Sequence, residues 1–178
     1  MSSELESALK KWAEEALESV GVSKTKIAGF AELQDKLIEN MRATYSERTI
    51  DFFLTPRNLG KIEDADAFAR VTGSCGDTME IYLRARNGRI MDARFTTDGC
   101  GTSIASGGMV TELAKGKSIV EAQKIGQDDV LNALGGLPEE SEHCALLATD
   151  TLKEAVRNCL ASKNEARNSC KELQVQSR

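Results

Sequence analysis

The chain has 178 residues, 40% hydrophobic and 29% charged, with two prolines and a formal net charge of −5. That length builds one compact domain with room for an appended helical segment. The acidic balance argues against a nucleic-acid partner, which needs a basic surface, and charges interrupt every apolar stretch well short of the roughly 18 residues that span a membrane.

The amino terminus reads Met1-Ser2-Ser3-Glu4-Leu5-Glu6, acidic where targeting peptides are basic, so a cytoplasmic location is expected. Leu5, Leu9, Trp12, Ala16 and Val20 recur at helical spacing, with Ser3 and Glu6 as a capping box and Gly21 as a stop. A second helical pattern runs through Phe30, Leu33, Leu37, Met41 and Tyr45 and restarts after Ser46. It ends near Leu54, because Thr55 precedes Pro56 and is pushed out of helical backbone.

From Asp66 the period becomes two. Phe68–Thr72, Thr78–Arg86 and Arg89–Thr97 are expected strands, with Met79, Ile81, Leu83 and Ala85 on one face. Asn87-Gly88 predicts a two-residue hairpin, since both central residues of a type I′ turn need positive φ. After Gly99 the pattern is helical. Helices are predicted over about 100–115, briefly after Ser118, over about 128–134 before Gly135-Gly136, and from about His143 to Ala161, with a polar, frayed tail beyond Lys163. The expected class is α+β, a small antiparallel sheet packed against helices, with an extra N-terminal helical segment.

The five cysteines form no Cys-x-x-Cys pair and are too sparse for a secreted disulfide framework. Three fall at element ends: Cys75 in the loop between the first two strands, and Cys100 and Cys144 at helix starts, the last beside the single histidine, His143. A helix N-terminus favours the thiolate, the form that binds metal or attacks sulfur. With Asp77 or His143 as a harder ligand, three thiolates suit tetrahedral zinc or an iron–sulfur cluster. Gly73, Gly76, Gly99 and Gly101 leave room for close approach to such a centre, or serve only turns. A lone cysteine is more often simply buried. Cys159 shares a helical face with Ala148, Leu152 and Ala155 and is expected in the core, and Cys170 is expected as an incidental thiol of the tail.

At these residues the chain resembles the IscU/NifU-type iron–sulfur cluster scaffold family, from about Tyr45 to Ala161. The resemblance is carried by the run from Tyr45 through Pro56-Arg57-Asn58 to Gly60, then Cys75-Gly76-Asp77, Asp98-Gly99-Cys100-Gly101-Thr102-Ser103, and His143-Cys144-Ala145-Leu146. It implies a three-stranded antiparallel sheet with packed helices, residues 45–163 as the scaffold domain, 1–44 as an extension and 164–178 as a tail. It further implies that Cys75, Cys100 and Cys144 carry a transient 2Fe–2S cluster with Asp77 or His143 as the fourth ligand. Asp77 would govern release, and Cys144 would receive persulfide sulfur from a cysteine desulfurase before the cluster passes to apo-proteins. Tyr45 matches a tyrosine linked to dimerisation, so a homodimer is expected, and the same ligands would take iron or, on isolation, zinc.

The chain departs from the family at Leu137-Pro138-Glu139-Glu140-Ser141, where many members carry Leu-Pro-Pro-Val-Lys for a dedicated chaperone. The loss of the lysine and the gain of two acids argue against that partner. The N-terminal helical extension is expected to pack rather than expose its stripe. The cysteine-rich regions that follow this domain in full-length NifU proteins are absent from the sequence, which reads as a stand-alone scaffold. The alternative function is a zinc-bound SufU-like sulfurtransferase, a branch that typically carries an insertion between its second and third cysteines and an arginine in place of the histidine. A cysteine hydrolase using Cys144 and His143 ranks lower, because adjacent residues at a helix start seldom face each other and no orienting acid is evident.

Overall fold

The computed structural model describes residues 24–175. The first expected helix, from Ser3 to Gly21, lies outside them. The chain divides after Thr44 into two compact units. Of the first, helix α1 spans Lys24–Thr44. Lys36 and Glu32 pair across one turn at 2.8 Å, while Leu33 and Leu37 are 55% and 54% exposed.

The second unit holds α2 (Glu47–Leu54), β1 (Ala67–Thr72), β2 (Thr78–Arg86), β3 (Arg89–Thr97), α3 (Gly101–Ala114), α4 (Ile119–Ala122), α5 (Gln127–Leu134), a 3-10 turn (Glu139–Ser141) and α6 (Glu142–Val175). The restart at Ser46 is a capping event: its hydroxyl accepts from the Thr49 amide at 3.1 Å and also donates to the Leu134 carbonyl, joining α2 to the end of α5. Ser118 and Glu121 cap α4 reciprocally, and Gly135 ends α5 in left-handed conformation.

The strands pair antiparallel in the order β1-β2-β3, with Phe68 opposite Tyr82 and Tyr82 opposite Arg94. The hairpin turns through Asn87 and Gly88 at φ 52° and 78°. One sheet face buries Met79, Ile81, Leu83 and Phe95 against α3 and α6, so alternation along β2 does place one set inward. Residues 58–60 add to the rim of β3: the Phe95 amide donates to the Asn58 carbonyl at 3.0 Å, and the Gly60 amide to the Phe95 carbonyl at 2.8 Å.

The architecture is the expected α+β sandwich of a three-stranded antiparallel sheet and helices. The last helix differs from expectation. Its backbone continues from Glu142 to Val175 instead of stopping near Ala161, because residues 162–175 contain no glycine or proline and several good helix formers. No helix among the described residues is long and apolar enough to cross a membrane.

Candidate cysteine site

Three chain ends meet at one end of the sheet: the loop 73–77 between β1 and β2, the exit of β3 into α3, and the first turn of α6. The β3 exit is fixed by its own polar groups. Thr97 Oγ1 donates to the Thr78 carbonyl at 2.8 Å and accepts from the Gly99 amide at 3.1 Å, while Asp98 Oδ1 accepts from the Thr78 amide at 2.6 Å. This leaves Cys100 as the N-cap of α3, its carbonyl accepting the first helical bond from Ile104 at 3.0 Å. The loop closes on itself, with the Gly73 amide donating to the Asp77 carbonyl at 2.8 Å and Gly76 at φ +92°.

Two hydroxyls on the first turn of α3 connect the site. Thr102 Oγ1 lies 3.0 Å from Cys100 Sγ and 3.3 Å from Cys144 Sγ. Ser103 Oγ donates to Asp77 Oδ2 at 2.9 Å and stands 3.4 Å from Cys144 Sγ and 3.7 Å from Cys100 Sγ. His143 Nε2 is 3.6 Å from Cys144 Sγ, so these sequence neighbours do approach each other, contrary to the expectation from their adjacency. Among the described residues no carboxylate orients that imidazole, which leaves a hydrolytic triad without its third member.

Cys100, Cys144, Asp77 and His143 therefore share one hydrogen-bonded network. Cys75 stands apart at the exposed loop, its sulfur folded back so that a Cβ on Gly73 would meet it at 3.7 Å and Leu147 at 3.4 Å. Among the described residues, no three Cys, His, Asp or Glu side chains are already gathered as a metal-ligand set. The donor types present, thiolates beside a carboxylate and an imidazole, do fit iron, an iron–sulfur cluster or zinc.

The thiols are not alike. Burial pushes Cys100 up, but hydrogen bonds from the Thr102 and Ser103 hydroxyls and amides outweigh it and bring the thiol down to about 7. The amides are the N-terminal effect the sequence suggests, while the larger contribution of the Thr102 hydroxyl comes in addition to it. Cys144 reverses it: burial pushes the thiol above its ordinary value, the hydroxyls of Ser103 and Thr102 recover part of that, and the nearby Cys100 adds to the rise. It sits within the first turn of α6 rather than at its tip and is 1% exposed. Cys159 is likewise 1% exposed, in the core as expected from its helical face. Cys170 lies where side chains are not described.

The glycines owe their places to different neighbours. A Cβ on Gly99 would come within 2.3 Å of Asp77 Oδ2 and 2.7 Å of Ser103, and one on Gly101 within 2.7 Å of the Phe53 ring. Gly76 has open space around it. Thr102 and Ser103 are the site residues that sequence reasoning overlooked. Their signal was position: hydroxyls in the first helical turn after an N-cap cysteine lie back toward the cap.

Residues 44–166 match the family model of the NifU-like N-terminal domain. The iron–sulfur cluster assembly scaffold protein IscU 1 of Archaeoglobus fulgidus is 50% identical over 113 residues, covering 63% of this chain and 74% of that protein. The IscU scaffold of Escherichia coli K12 is 42% identical over 128 residues, covering 69% of this chain and 98% of that one. The crystal structure of FiSufU from Fervidobacterium islandicum AW-1, a protein named for the SUF system, superposes with a TM-score of 0.52 at 27% identity, over 63% of this chain and 96% of that one.

Proposed function

Because the chain belongs to the NifU-like N-terminal domain family, that of the IscU-type iron–sulfur cluster scaffolds, we propose that it builds a 2Fe–2S cluster as cargo on Cys75, Cys100 and Cys144 and passes it to apo-proteins. Asp77 or His143 would complete the ligand set. The domain responsible would be residues 45–163. The observation that carries this reading is the chain of contacts from Cys100 through Thr102 to Cys144 and through Ser103 to Asp77. A network of that kind holds soft and hard ligands of different elements side by side.

In this reading a cysteine desulfurase presents a persulfide, and the Cys144 thiolate attacks its outer sulfur. A new S–S bond forms at Cys144 as the old one breaks, and the desulfurase cysteine leaves as thiolate. Release of each sulfane sulfur as sulfide breaks that S–S bond, takes two electrons and returns the Cys144 thiolate; for two sulfurs, two electrons come from oxidation of two ferrous ions and two from a thiol reductant, which in the test below is free cysteine. Since Cys144 is 1% exposed, the first turn of α6 or the Cys75 loop must move aside before transfer. Cys100 is exposed and more acidic and makes the natural entry point for ferrous iron. Glu139 and Glu140 are exposed immediately before α6, in the place of the family's chaperone handle, and the dedicated chaperone is not among the proposed partners. A homodimer is proposed through the Tyr45 end of the domain.

The test is anaerobic reconstitution with ferrous iron, cysteine and a cysteine desulfurase, followed by visible absorption. Charge-transfer bands that survive desalting and disappear on Cys→Ser change at position 75, 100 or 144 support the scaffold. A colourless protein that keeps zinc while accepting persulfide supports the SufU-like sulfur relay instead. Mass spectrometry of the persulfidated chain locates the acceptor: sulfur on Cys100 instead of Cys144 would reassign that role.

A further inference from the structure

We infer that Ser103 is a positioning residue that tethers Asp77, and with it the Cys75 loop, to the first turn of α3. The inference rests on the reading of Asp77 as a candidate ligand beside the three cysteines. Ser103 is wholly buried, yet its hydroxyl has a charged partner, Asp77 Oδ2, at 2.9 Å. A hydroxyl donating to a carboxylate makes a charge-assisted bond, about twice as strong as a neutral one. Among the described residues it is the one side-chain hydrogen bond that ties residues 73–77 to α3.

The surrounding backbone is shaped for this bond. With any side chain at position 99, a Cβ would stand 2.3 Å from Asp77 Oδ2 and 2.7 Å from Ser103 Cβ and Oγ, so the carboxylate and the hydroxyl could not meet there. The tether takes only one carboxylate oxygen. Oδ1 has no hydrogen-bond partner among the described residues. One oxygen held and one open is the arrangement by which an outer hydrogen bond aims a carboxylate at a metal. Asp77 lies two residues from Cys75 in a loop whose closing bond runs from the Gly73 amide to the Asp77 carbonyl. Fixing Asp77 therefore also fixes the stem that carries Cys75. Ser103 need never touch the metal to decide whether the loop ligands arrive with Cys100 and Cys144.

Cobalt(II) added to the metal-free protein is the probe, with wild type, Ser103→Ala, Asp77→Ala and the double variant compared. Sulfur-to-cobalt charge-transfer intensity is expected to persist in all four, since the thiols remain. The d–d bands of S103A should move toward those of D77A, and cobalt affinity should fall about 10- to 100-fold, with the double variant no weaker than D77A. An S103A protein with wild-type bands and affinity overturns the proposal, as do losses that multiply in the double variant.

If wild type binds no cobalt through sulfur, the ligand reading fails, and Ser103 is judged without metal by hydrogen exchange of residues 73–77. Faster exchange in S103A and D77A, with nothing added in the double, supports the tether. Unchanged exchange in S103A overturns it. Should S103A not fold, D77A breaks the same bond from the partly exposed loop side, and a loop then as protected as in wild type overturns the tether too.

Discussion

Cys100 and Cys144 share one hydroxyl, that of Thr102, at 3.0 and 3.3 Å, yet their thiols are driven in opposite directions. Cys100 caps a helix and collects hydrogen bonds on an exposed sulfur, whereas Cys144 lies one helix away and is buried. At Cys100 the hydroxyls of Thr102 and Ser103 act together with the amides of the same residues and outweigh desolvation, whereas at Cys144 the hydroxyls act alone and do not.

In metal-free protein, alkylation by iodoacetamide followed by mass spectrometry should therefore reach half its limiting rate near pH 7 for Cys100, whose thiol is lowered to about 7. The thiolate is the reactive form, so a lowered value moves the profile to lower pH and a raised one to higher pH. Cys144 should react later in pH and more slowly. Replacing Thr102 by valine removes a lowering bond from both and should move both profiles upward; an unmoved Cys100 profile would exclude the hydroxyl as the cause.

Gly107 sits in the interior of α3 directly under Phe95, and a Cβ there would meet the ring at 2.4 Å. Gly107→Ala should gain about 1 kcal/mol of helix propensity but force the fully buried Phe95 to shift, at about 1–3 kcal/mol. A net loss is expected in urea denaturation. A stabilised G107A would mean that the Phe95 ring yields to the added methyl at little cost.

Ser106 is wholly buried, and its hydroxyl has no hydrogen-bond partner among the described residues. An unsatisfied buried hydroxyl costs about 1–3 kcal/mol. Ser106→Ala should thus raise the urea midpoint, while leaving reconstituted cluster yield as in wild type. A clear loss of stability would show that this hydroxyl is satisfied in solution.

Cys159 lies in the core with Leu152, Ala155 and Val156, far along α6 from the site turn. Cys159→Ala should lower stability by about 1 kcal/mol, the transfer of one small buried group, and leave cobalt charge-transfer intensity unchanged. Lost intensity in C159A would add a fourth thiol to the ligand set.

The strands, the Asn87-Gly88 hairpin and the helix starts after Ser46 and Ser118 were legible in the sequence because each depends on neighbours a few residues away. Period-two alternation, positive φ and a hydroxyl beside three unpaired amides are local physics. The same holds for the interior place of Cys159, read from its helical face, and for the acidity of Cys100 at a helix N-terminus. The length of α6 departs from the stop that polarity predicts near Ala161, since a polar segment free of helix breakers leaves propensity to decide.

What only the tertiary structure decided is how the cysteines differ. Nothing within a few residues of Cys144 says that Thr102 and Ser103 lie above it or that its thiol is buried; that depends on α6 packing across α3. Nor does the loop sequence around Asp77 name Ser103, 26 residues on, as its partner. The sequence by itself determined which ligand types are present and which elements carry them. Their burial, their shared hydroxyls and their relative acidity come from long-range packing, because desolvation and hydrogen bonding depend on whichever groups the fold brings near.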